Sequence, residues 1–423
     1  MNKLSAKPPA YPSANPSAYP SAHPLAHLAS LGLPRANPVS AALLATPGLE
    51  LTFNARGALL SAFREIARQG RRKVLLPAFH CPSAISPALL AGLTPVYYRI
   101  RPDLGIDADD VLRLADRDTA AILLIHFFGF APDLQPLAPL AAFGIQRVED
   151  CSHAYVAADS LGLAGSPLSD YRVFSFWKIA PSGVGGGLWR RQPLAAAARA
   201  AAPASARLRN YKQLLDEAAQ RPGQALLRAL LGGVDGLRNG LRDSLRHGLR
   251  KPPPLAAVAS TTATPPPPLL ERGEAYYPMH ASLADAAMPR HVRRIIAAAD
   301  LPAIVGARRA NYLRYQAALP RLQPLQALAP ALPAATCPWV FPVLLDDRAQ
   351  WDHRLRAAGV ALHTFGIYLH SSLFASGAAA AVRDARYLAD RVLCLSIHPD
   401  LGVADIDRSI AQIAAILSPA HPP

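Results

Sequence analysis

Apolar residues follow two different periods between residues 51 and 150. Short apolar runs alternate there with stretches whose apolar residues recur at helical spacing. The runs predict strands at 74–77, 95–100, 120–127 and 145–150, and the spaced stretches predict helices at 55–70, 86–92, 107–115 and 134–143. Strands and helices that alternate in this way are typical of an α/β fold with a mostly parallel sheet and helices on both faces.

The last part of the sequence has a different pattern and predicts a small C-terminal α+β domain. Helical spacing covers about 288–319, with a break near Pro302, and strands are predicted within 337–347 and at 392–397. Helices are predicted at 351–358 and over a final apolar stripe formed by Ile406, Ile410, Ile413 and Leu417. We therefore expect a large domain over residues 40–287 and a small domain over residues 288–418.

Two segments have compositions that are unsuited to a packed core. Residues 1–39 repeat Pro with Ser, Ala, Tyr and His, which predicts a disordered tail. A Pro-rich stretch at about 251–270 predicts an exposed insert within the large domain.

The chain is strongly basic, with a formal net charge of +15. Such a charge would permit a nucleic-acid partner, but nearly all of the basic residues are Arg and they are spread through helices with no nucleic-acid-reading motif. We attribute the charge to codon bias and expect no nucleic-acid partner. The four Cys are far apart and form no CxxC pair, which predicts a reduced, cytoplasmic protein without zinc or disulfides. No apolar run is long enough for a membrane helix.

The helical region after Trp189 carries more apolar surface than one domain obviously covers, including Leu226, Leu227, Leu230 and Leu231. Further on, a basic amphipathic helix is predicted over 237–249, with leucines at every fourth position. Packing on the parent domain or on a second subunit explains these faces, while contact with a membrane surface stays open as an alternative.

Two ionisable residues are predicted at the ends of strands. Asp150 ends the run at 145–150, and Lys178 follows the strand at 171–176 and precedes a run of glycines. Lys178 stands among aromatic residues, unlike the other five lysines. A desolvated amine can form a Schiff base with an aldehyde, and a nearby carboxylate can keep a pyridine nitrogen protonated, as pyridoxal phosphate requires. The alternative is a lysine that reaches solvent from a strand end and an ordinary turn acid.

The helix that begins after Asn54 supplies a candidate phosphate site. Asn54 is a suitable N-cap, and the first turn, Ala55 to Ala58, presents backbone N–H groups at the positive end of the helix. Every helix has such an end, so this signal is weak by itself.

The run that contains Glu149, Asp150 and His153, followed by Phe174, Ser175, Phe176 and Lys178, resembles the cofactor segment of the DegT and StrS type family. These proteins are fold-type-I pyridoxal phosphate enzymes, mostly sugar aminotransferases. One departure is that only Trp177 separates Lys178 from the FSF triplet, as in a divergent branch. A second departure is Arg56 in place of a Thr in the phosphate-binding turn. The resemblance implies a three-layer large domain, a small C-terminal domain that closes the substrate cleft, and a homodimer.

The resemblance also implies residue roles. Lys178 would bind the cofactor and shuttle a proton, while Asp150 would pair with the pyridinium nitrogen. His153 would hydrogen-bond the phenolic oxygen, Ser175 and the turn of Ala55, Arg56 and Gly57 would hold the phosphate, and His80 would stack on the ring. His363 and His398, in the small domain, are left out of this site because a histidine is more often inert. No metal is expected.

The implied reaction is transfer of an amino group from glutamate or glutamine to a nucleotide-linked keto sugar, in polysaccharide or natural-product synthesis. One alternative is another pyridoxal phosphate enzyme, such as a lyase or decarboxylase. Another is a basic binding protein on a catalytically degenerate version of the same fold.

Overall fold

The computed structural model describes residues 24–32, 34–192, 199–221, 223–233, 269–275 and 279–417. Its larger sheet has seven strands in the order β1-β7-β6-β5-β4-β2-β3. Strands β2 to β6 are mutually parallel, and only the pairs β6–β7 and β7–β1 are antiparallel. The strands are β1 (Leu49–Thr52), β2 (Lys73–Pro77), β3 (Thr94–Tyr98), β4 (Thr119–Ile125), β5 (Gln146–Asp150), β6 (Tyr171–Ser175) and β7 (Gly186–Arg190). The predicted α/β class with a mostly parallel sheet is confirmed.

Burial explains why strand β4 is apolar at every position after Thr119. All seven residues of β4 are buried, because protein packs on both faces of a parallel sheet. The helices up to residue 233 are α1 (Leu28–Leu31), α2 (Pro38–Leu44), α3 (Ala55–Ala67), α4 (Pro82–Leu90), α5 (Ala108–Leu114), α6 (Ala204–Gln220) and α7 (225–233). In α3 the predicted face of Leu59, Leu60, Phe63 and Ile66 is buried as expected.

The C-terminal region contains a second, four-stranded antiparallel sheet in the order β10-β11-β9-β8. Its strands are β8 (Gln326–Ala327), β9 (Val340–Leu344), β10 (Leu362–His363) and β11 (Val392–Ser396). The remaining helices are α8 (Ala281–Ala284), α9 (Arg290–Ala297), α10 (Leu301–Ala318), α11 (Arg348–Ala357), α12 (Ser371–Phe374), α13 (Ala379–Arg391) and α14 (Val403–Leu417). Tyr312, Phe341 and Ile413 belong to the buried cluster of this small domain.

Two predicted helices differ in the structure, and a third has the break that was expected. The stretch at 134–143 is a 3-10 helix, Gln135–Phe143, because Pro136 and Pro139 remove backbone donors that a longer helix needs. The helix expected at 86–92 begins at Pro82, where a proline at the first helical position is favourable. The break expected near Pro302 in the helix over 288–319 is present: α9 ends at Ala297, and Asp300 caps α10 by accepting from the Ala303 N–H.

The helix α9 begins just beyond residue 288, the predicted start of the small domain. Val292 and Ile296 of α9 share a buried cluster with Phe174 and Phe176, so α9 packs on the large domain although it lies beyond residue 288. Within the expected disordered tail, Leu25 and Ala26 are buried. Residues 251–268 of the Pro-rich insert and the whole of the basic helix predicted at 237–249 lie outside the described residues. Among the described helices, none is long and apolar enough to cross a membrane.

Candidate active site

The carboxyl ends of β5 and β6 face a cleft with a volume of about 210 Å³. Its lining comes from the start of α3, the turn after β6, and the small domain. The residues that matter below are Ala55, Arg56, Cys81, Ser83, Ser152, Ser175, Lys178, Trp339 and His363. A larger groove of about 780 Å³ is lined by His126 and Glu149 but by neither Lys178 nor Asp150. The candidate chemistry is therefore in the smaller cleft.

Lys178 ends a short 3-10 turn, Phe176–Lys178, that follows directly after β6. The residue keeps some contact with the cleft, while protein atoms surround its amine. Burial lowers the pKa of Lys178 to about 8, and negative charge on Cys81 or Asp150 acts in the opposite direction. Its Nζ also lies 4.6 Å from the centre of the Trp339 ring. The lowered pKa raises the uncharged fraction of the amine near neutral pH to about a tenth, which favours a nucleophilic role.

Asp150 is the last residue of β5 and its side chain is buried. Its Oδ1 accepts a hydrogen bond from the Ser152 N–H at 2.9 Å, which orients the carboxylate at the strand end. Strands β5 and β6 are adjacent and parallel, so the strand ends that carry Asp150 and Lys178 lie side by side. Both predicted strand-end residues are therefore brought together.

His153 is buried, and its Nδ1 accepts a hydrogen bond from the Phe128 N–H at 3.2 Å. Burial lowers the pKa of His153 well below its usual value, and the charge of Lys178 adds to this shift. The ring is consequently neutral with its proton on Nε2, which leaves one N–H donor. This ring stacks on Trp339 with 4.0 Å between the ring centres. A neutral donor of this kind fits the phenolic oxygen of pyridoxal phosphate.

The start of α3 forms another side of the cleft, where Ala55 and Arg56 contribute to the lining. Asn54 caps the helix by accepting from the Gly57 N–H at 2.9 Å, so that this N–H is already used. Gly57 is buried, and it is not one of the described residues that line the cleft. A helix N-terminus together with the Arg56 charge and the Ser175 hydroxyl suits a phosphate group. The donors present fit the two ends of the cofactor.

The structure does not bring His80 to the cleft. His80 is fully buried, its Nδ1–H donates to the Pro77 carbonyl at 3.0 Å, and its Nε2 accepts from the His370 N–H at 3.0 Å. Both ring nitrogens are therefore hydrogen-bonded to backbone groups, and a stacking role for His80 is not supported. The next residue, Cys81, lines the cleft and contacts the Ser83 hydroxyl at 3.0 Å.

The small domain contributes two residues that the sequence analysis did not select. Trp339 directly precedes β9, and its ring contacts both His153 and the Lys178 amine. The ring of His363, in β10, packs edge to face with Trp339 with 4.7 Å between the ring centres. Nothing in the local pattern marked Trp339 apart from the rarity of Trp, with four in the chain, whereas His363 was considered in the sequence analysis and left out of the site. His398 is buried elsewhere, 3.8 Å from Asp400.

A buried network supports the segment between β5 and β6. The carboxylate of Glu149 accepts hydrogen bonds from His126, the Ser166 N–H and the Ser169 hydroxyl. Ligand atoms of His126, Glu149 and Cys151 lie within 4.8 Å of one another, a spacing that could hold a metal ion. Since His126 and Glu149 are bonded directly to each other, we interpret the group as a hydrogen-bond network that holds the loop before β6.

Residues 51–197 match the model of the DegT/DnrJ/EryC1/StrS aminotransferase family. The resemblance noted in the sequence is confirmed for that segment, which contains Asp150, His153, Ser175 and Lys178. Among curated proteins, GDP-perosamine synthase of Vibrio cholerae is 30% identical over 118 residues, which are 27% of this chain and 32% of that protein. The matching part thus spans about a third of that relative.

Solved structures share the fold over nearly the whole chain. The sugar aminotransferase CalS13 from Micromonospora echinospora has a TM-score of 0.60 at 18% identity, covering 94% of this chain and 99% of its own. PseC of Helicobacter pylori, an aminotransferase involved in the biosynthesis of pseudoaminic acid, has a TM-score of 0.59 at 15% identity and covers 89% of both chains. The fold-type-I architecture is therefore confirmed.

Proposed function

We propose that this protein, whose residues 51–197 match the model of the DegT/DnrJ/EryC1/StrS aminotransferase family, is a pyridoxal phosphate-dependent aminotransferase. The observation that carries this proposal is the Lys178 amine, which has a lowered pKa, lines the cleft and follows the strand next to the one that ends in the buried carboxylate of Asp150. A lysine and an acid in such a relation are the minimum protein contribution to pyridoxal phosphate chemistry.

When bound, pyridoxal phosphate supplies an aldehyde that combines with amines and a ring that accepts electron pairs. Lys178 Nζ would hold the cofactor at its aldehyde carbon and move a proton at the amino-donor carbon. The Asp150 carboxylate would keep a proton on the ring nitrogen, and His153 Nε2–H would donate to the phenolic oxygen. The first backbone N–H groups of α3, with Arg56 and Ser175, would bind the phosphate.

The substrate proposal is a nucleotide-linked keto sugar as acceptor, with glutamate or glutamine as amino donor. It is supported by the similarity to GDP-perosamine synthase and by the solved sugar aminotransferases that share this fold. Products of such a reaction enter polysaccharide or natural-product synthesis.

The first test concerns Lys178. Purified protein incubated with pyridoxal phosphate should show a visible absorption band, and borohydride reduction should fix the cofactor to the peptide that contains Lys178. Lys178→Ala should lose both signals, whereas Lys73→Ala, which removes a lysine paired with Asp116 on the surface, should keep them. Label on another lysine, or none in the wild type, would refute the assignment.

The second test concerns Asp150. Asp150→Asn should keep the visible band, because Lys178 is unchanged, but should lose conversion of the bound cofactor by glutamate. Loss of one charge pair in a closed site should slow this half-reaction by roughly a hundredfold or more. Asp159→Asn, at an exposed acid outside the cleft, is the matched control and should keep the wild-type rate. An Asp150→Asn variant as fast as that control would contradict the role.

A further inference from the structure

A fully buried arginine in α10 joins the two parts of the candidate site. The Nη1 of Arg308 donates to the Trp339 carbonyl at 2.7 Å and to the Pro338 carbonyl at 3.4 Å. Its Nη2 donates to the Lys178 carbonyl at 3.1 Å, and no part of the side chain is exposed. One guanidinium therefore holds the backbone of the turn after β6 and the backbone that leads into β9.

These two segments carry the amine and the ring that meet in the cleft. Lys178 belongs to the large domain and Trp339 to the small domain, yet Nζ lies 4.6 Å from the centre of the indole ring. A guanidinium is planar and presents its N–H groups in a rigid fork, so two carbonyls that bind it are fixed relative to each other. A lysine ammonium has three donors on one atom but no planar fork, so it would hold the two segments less rigidly.

We propose that Arg308 is a positioning residue that places the Lys178 amine against Trp339 by binding the backbone carbonyls of both residues. The proposal rests on the assigned role of Lys178 as the cofactor lysine, but its geometry is a property of the protein chain itself. A buried charge is costly to desolvate, so an apolar side chain would be expected here if the position served packing alone.

The competing explanation is that Arg308 only supports the loop that precedes β9. The neighbouring residue supplies a control for it, because Arg309 donates to the Pro333 carbonyl at 2.7 Å and to the Thr336 carbonyl at 2.6 Å. Arg309 thus makes the same kind of bonds, from the same helix, to the same loop. Neither of these two carbonyls lies in the turn that contains Lys178.

The experiment measures the reactivity of Lys178 in full-length, cofactor-free protein by competitive acetylation at a series of pH values, followed by peptide mass spectrometry. Wild type, Arg308→Met, Arg308→Lys and Arg309→Met are compared, with Lys73 as an internal reference. When Arg308 is lost, the amine should leave Trp339 and become hydrated, which restores its charged form. Acetylation of Lys178 at pH 7 should then fall about tenfold for each unit by which its pKa rises.

The expected result is a large fall in Arg308→Met, a smaller fall in Arg308→Lys, and wild-type reactivity in Arg309→Met. Equal falls in Arg308→Met and Arg309→Met, or unchanged reactivity in both, would overturn the proposal. If Arg308→Met does not fold, as judged by thermal unfolding, Arg308→Lys decides, and unchanged reactivity there overturns it. A wild type that binds no pyridoxal phosphate would refute the proposed function, but the comparison of Lys178 reactivity would still decide the role of Arg308.

Discussion

Two buried histidines near the site differ in what their ring nitrogens do. Both ring nitrogens of His80 are bonded to the backbone, at Pro77 and at His370. His153 uses one nitrogen on the Phe128 N–H and keeps an N–H on the other. The local sequence did not distinguish these cases, because the two N–H groups that bind the rings, of His370 and Phe128, belong to other segments. His80 therefore serves stability and His153 can serve the cofactor.

The burial of His80 predicts a pH dependence of stability. Desolvation lowers its folded-state pKa to about 3, whereas an unfolded histidine titrates near its usual value of 6.5. Above that value both states are neutral and the contribution is complete. As the pH falls, the unfolded chain gains a proton that the folded chain excludes, so the unfolding free energy falls by up to about 1.4 kcal/mol per pH unit for this group.

The variant His80→Gln can keep a donor and an acceptor but does not titrate. Urea unfolding of the wild type and of this variant between pH 7 and 4.5 should show a shallower loss of stability in the variant. His153 and the acids titrate alike in both proteins, so the difference between the two slopes isolates His80. Parallel slopes would contradict the assignment.

Two glycines show how elements are joined at the phosphate side of the cleft. A Cβ on Gly186, at the start of β7, would come within 2.3 Å of the Asn54 carbonyl carbon and 2.5 Å of the Ala55 nitrogen. The absence of a side chain therefore lets β7 pack directly against the first turn of α3. Gly306 of α10 is exposed, and a Cβ there would meet nothing within 4 Å.

These surroundings predict opposite effects of the same substitution. Gly186→Ala should destabilise the protein by about 1–3 kcal/mol through overpacking and should weaken cofactor binding, because it displaces the start of α3. Gly306→Ala should stabilise the protein by about 1 kcal/mol, since alanine is the better helix former, and should leave cofactor binding unchanged. Thermal unfolding and pyridoxal phosphate titration check both variants. If both substitutions changed the unfolding temperature in the same direction, the close contact at Gly186 would not be what prevents a side chain there.

At the scale of the whole molecule, an N-terminal segment ties the two domains together. Arg221 donates to the Leu25 and Ala26 carbonyls and pairs with Asp400 at 2.6 Å. Burial alone would raise the pKa of Asp400, but hydrogen bonds from His27 and Arg221 lower it to about 2. The carboxylate is therefore charged at neutral pH and holds residues 25–27 against the C-terminal region.

The exposed apolar face of α7 predicts a homodimer. Leu226 and Leu230 of α7 are 76% and 60% exposed in the single chain, and a two-fold contact would bury such a face twice. Sedimentation at low micromolar concentration should give a dimer, which Leu226→Asp with Leu230→Asp should dissociate. Leu168→Asp, at an exposed leucine in a loop, should keep the dimer. A wild-type monomer that co-floats with anionic vesicles would favour the membrane-surface alternative.

Strands β2 to β6 of the large sheet, the capped helix α3 and the positions of Asp150 and Lys178 at strand ends followed from the sequence alone, whereas β1 and β7 were not predicted. Each of these features depends on residues within one or two turns or strands, where period and local chemistry are decisive. Elements interrupted by proline were less predictable, and the 3-10 helix at Gln135–Phe143 is the clearest instance.

Only the tertiary structure decided which side chains complete the cleft. Trp339, His363 and Arg308 reach the site from the small domain or from α10, and His80 is turned away by a bond to the backbone of His370. Arg308 and Lys178 are separated by 130 residues, and His80 and His370 by 290. Contacts over such separations leave no periodic signal in one sequence, because packing between elements, and not the local chain, selects the partners.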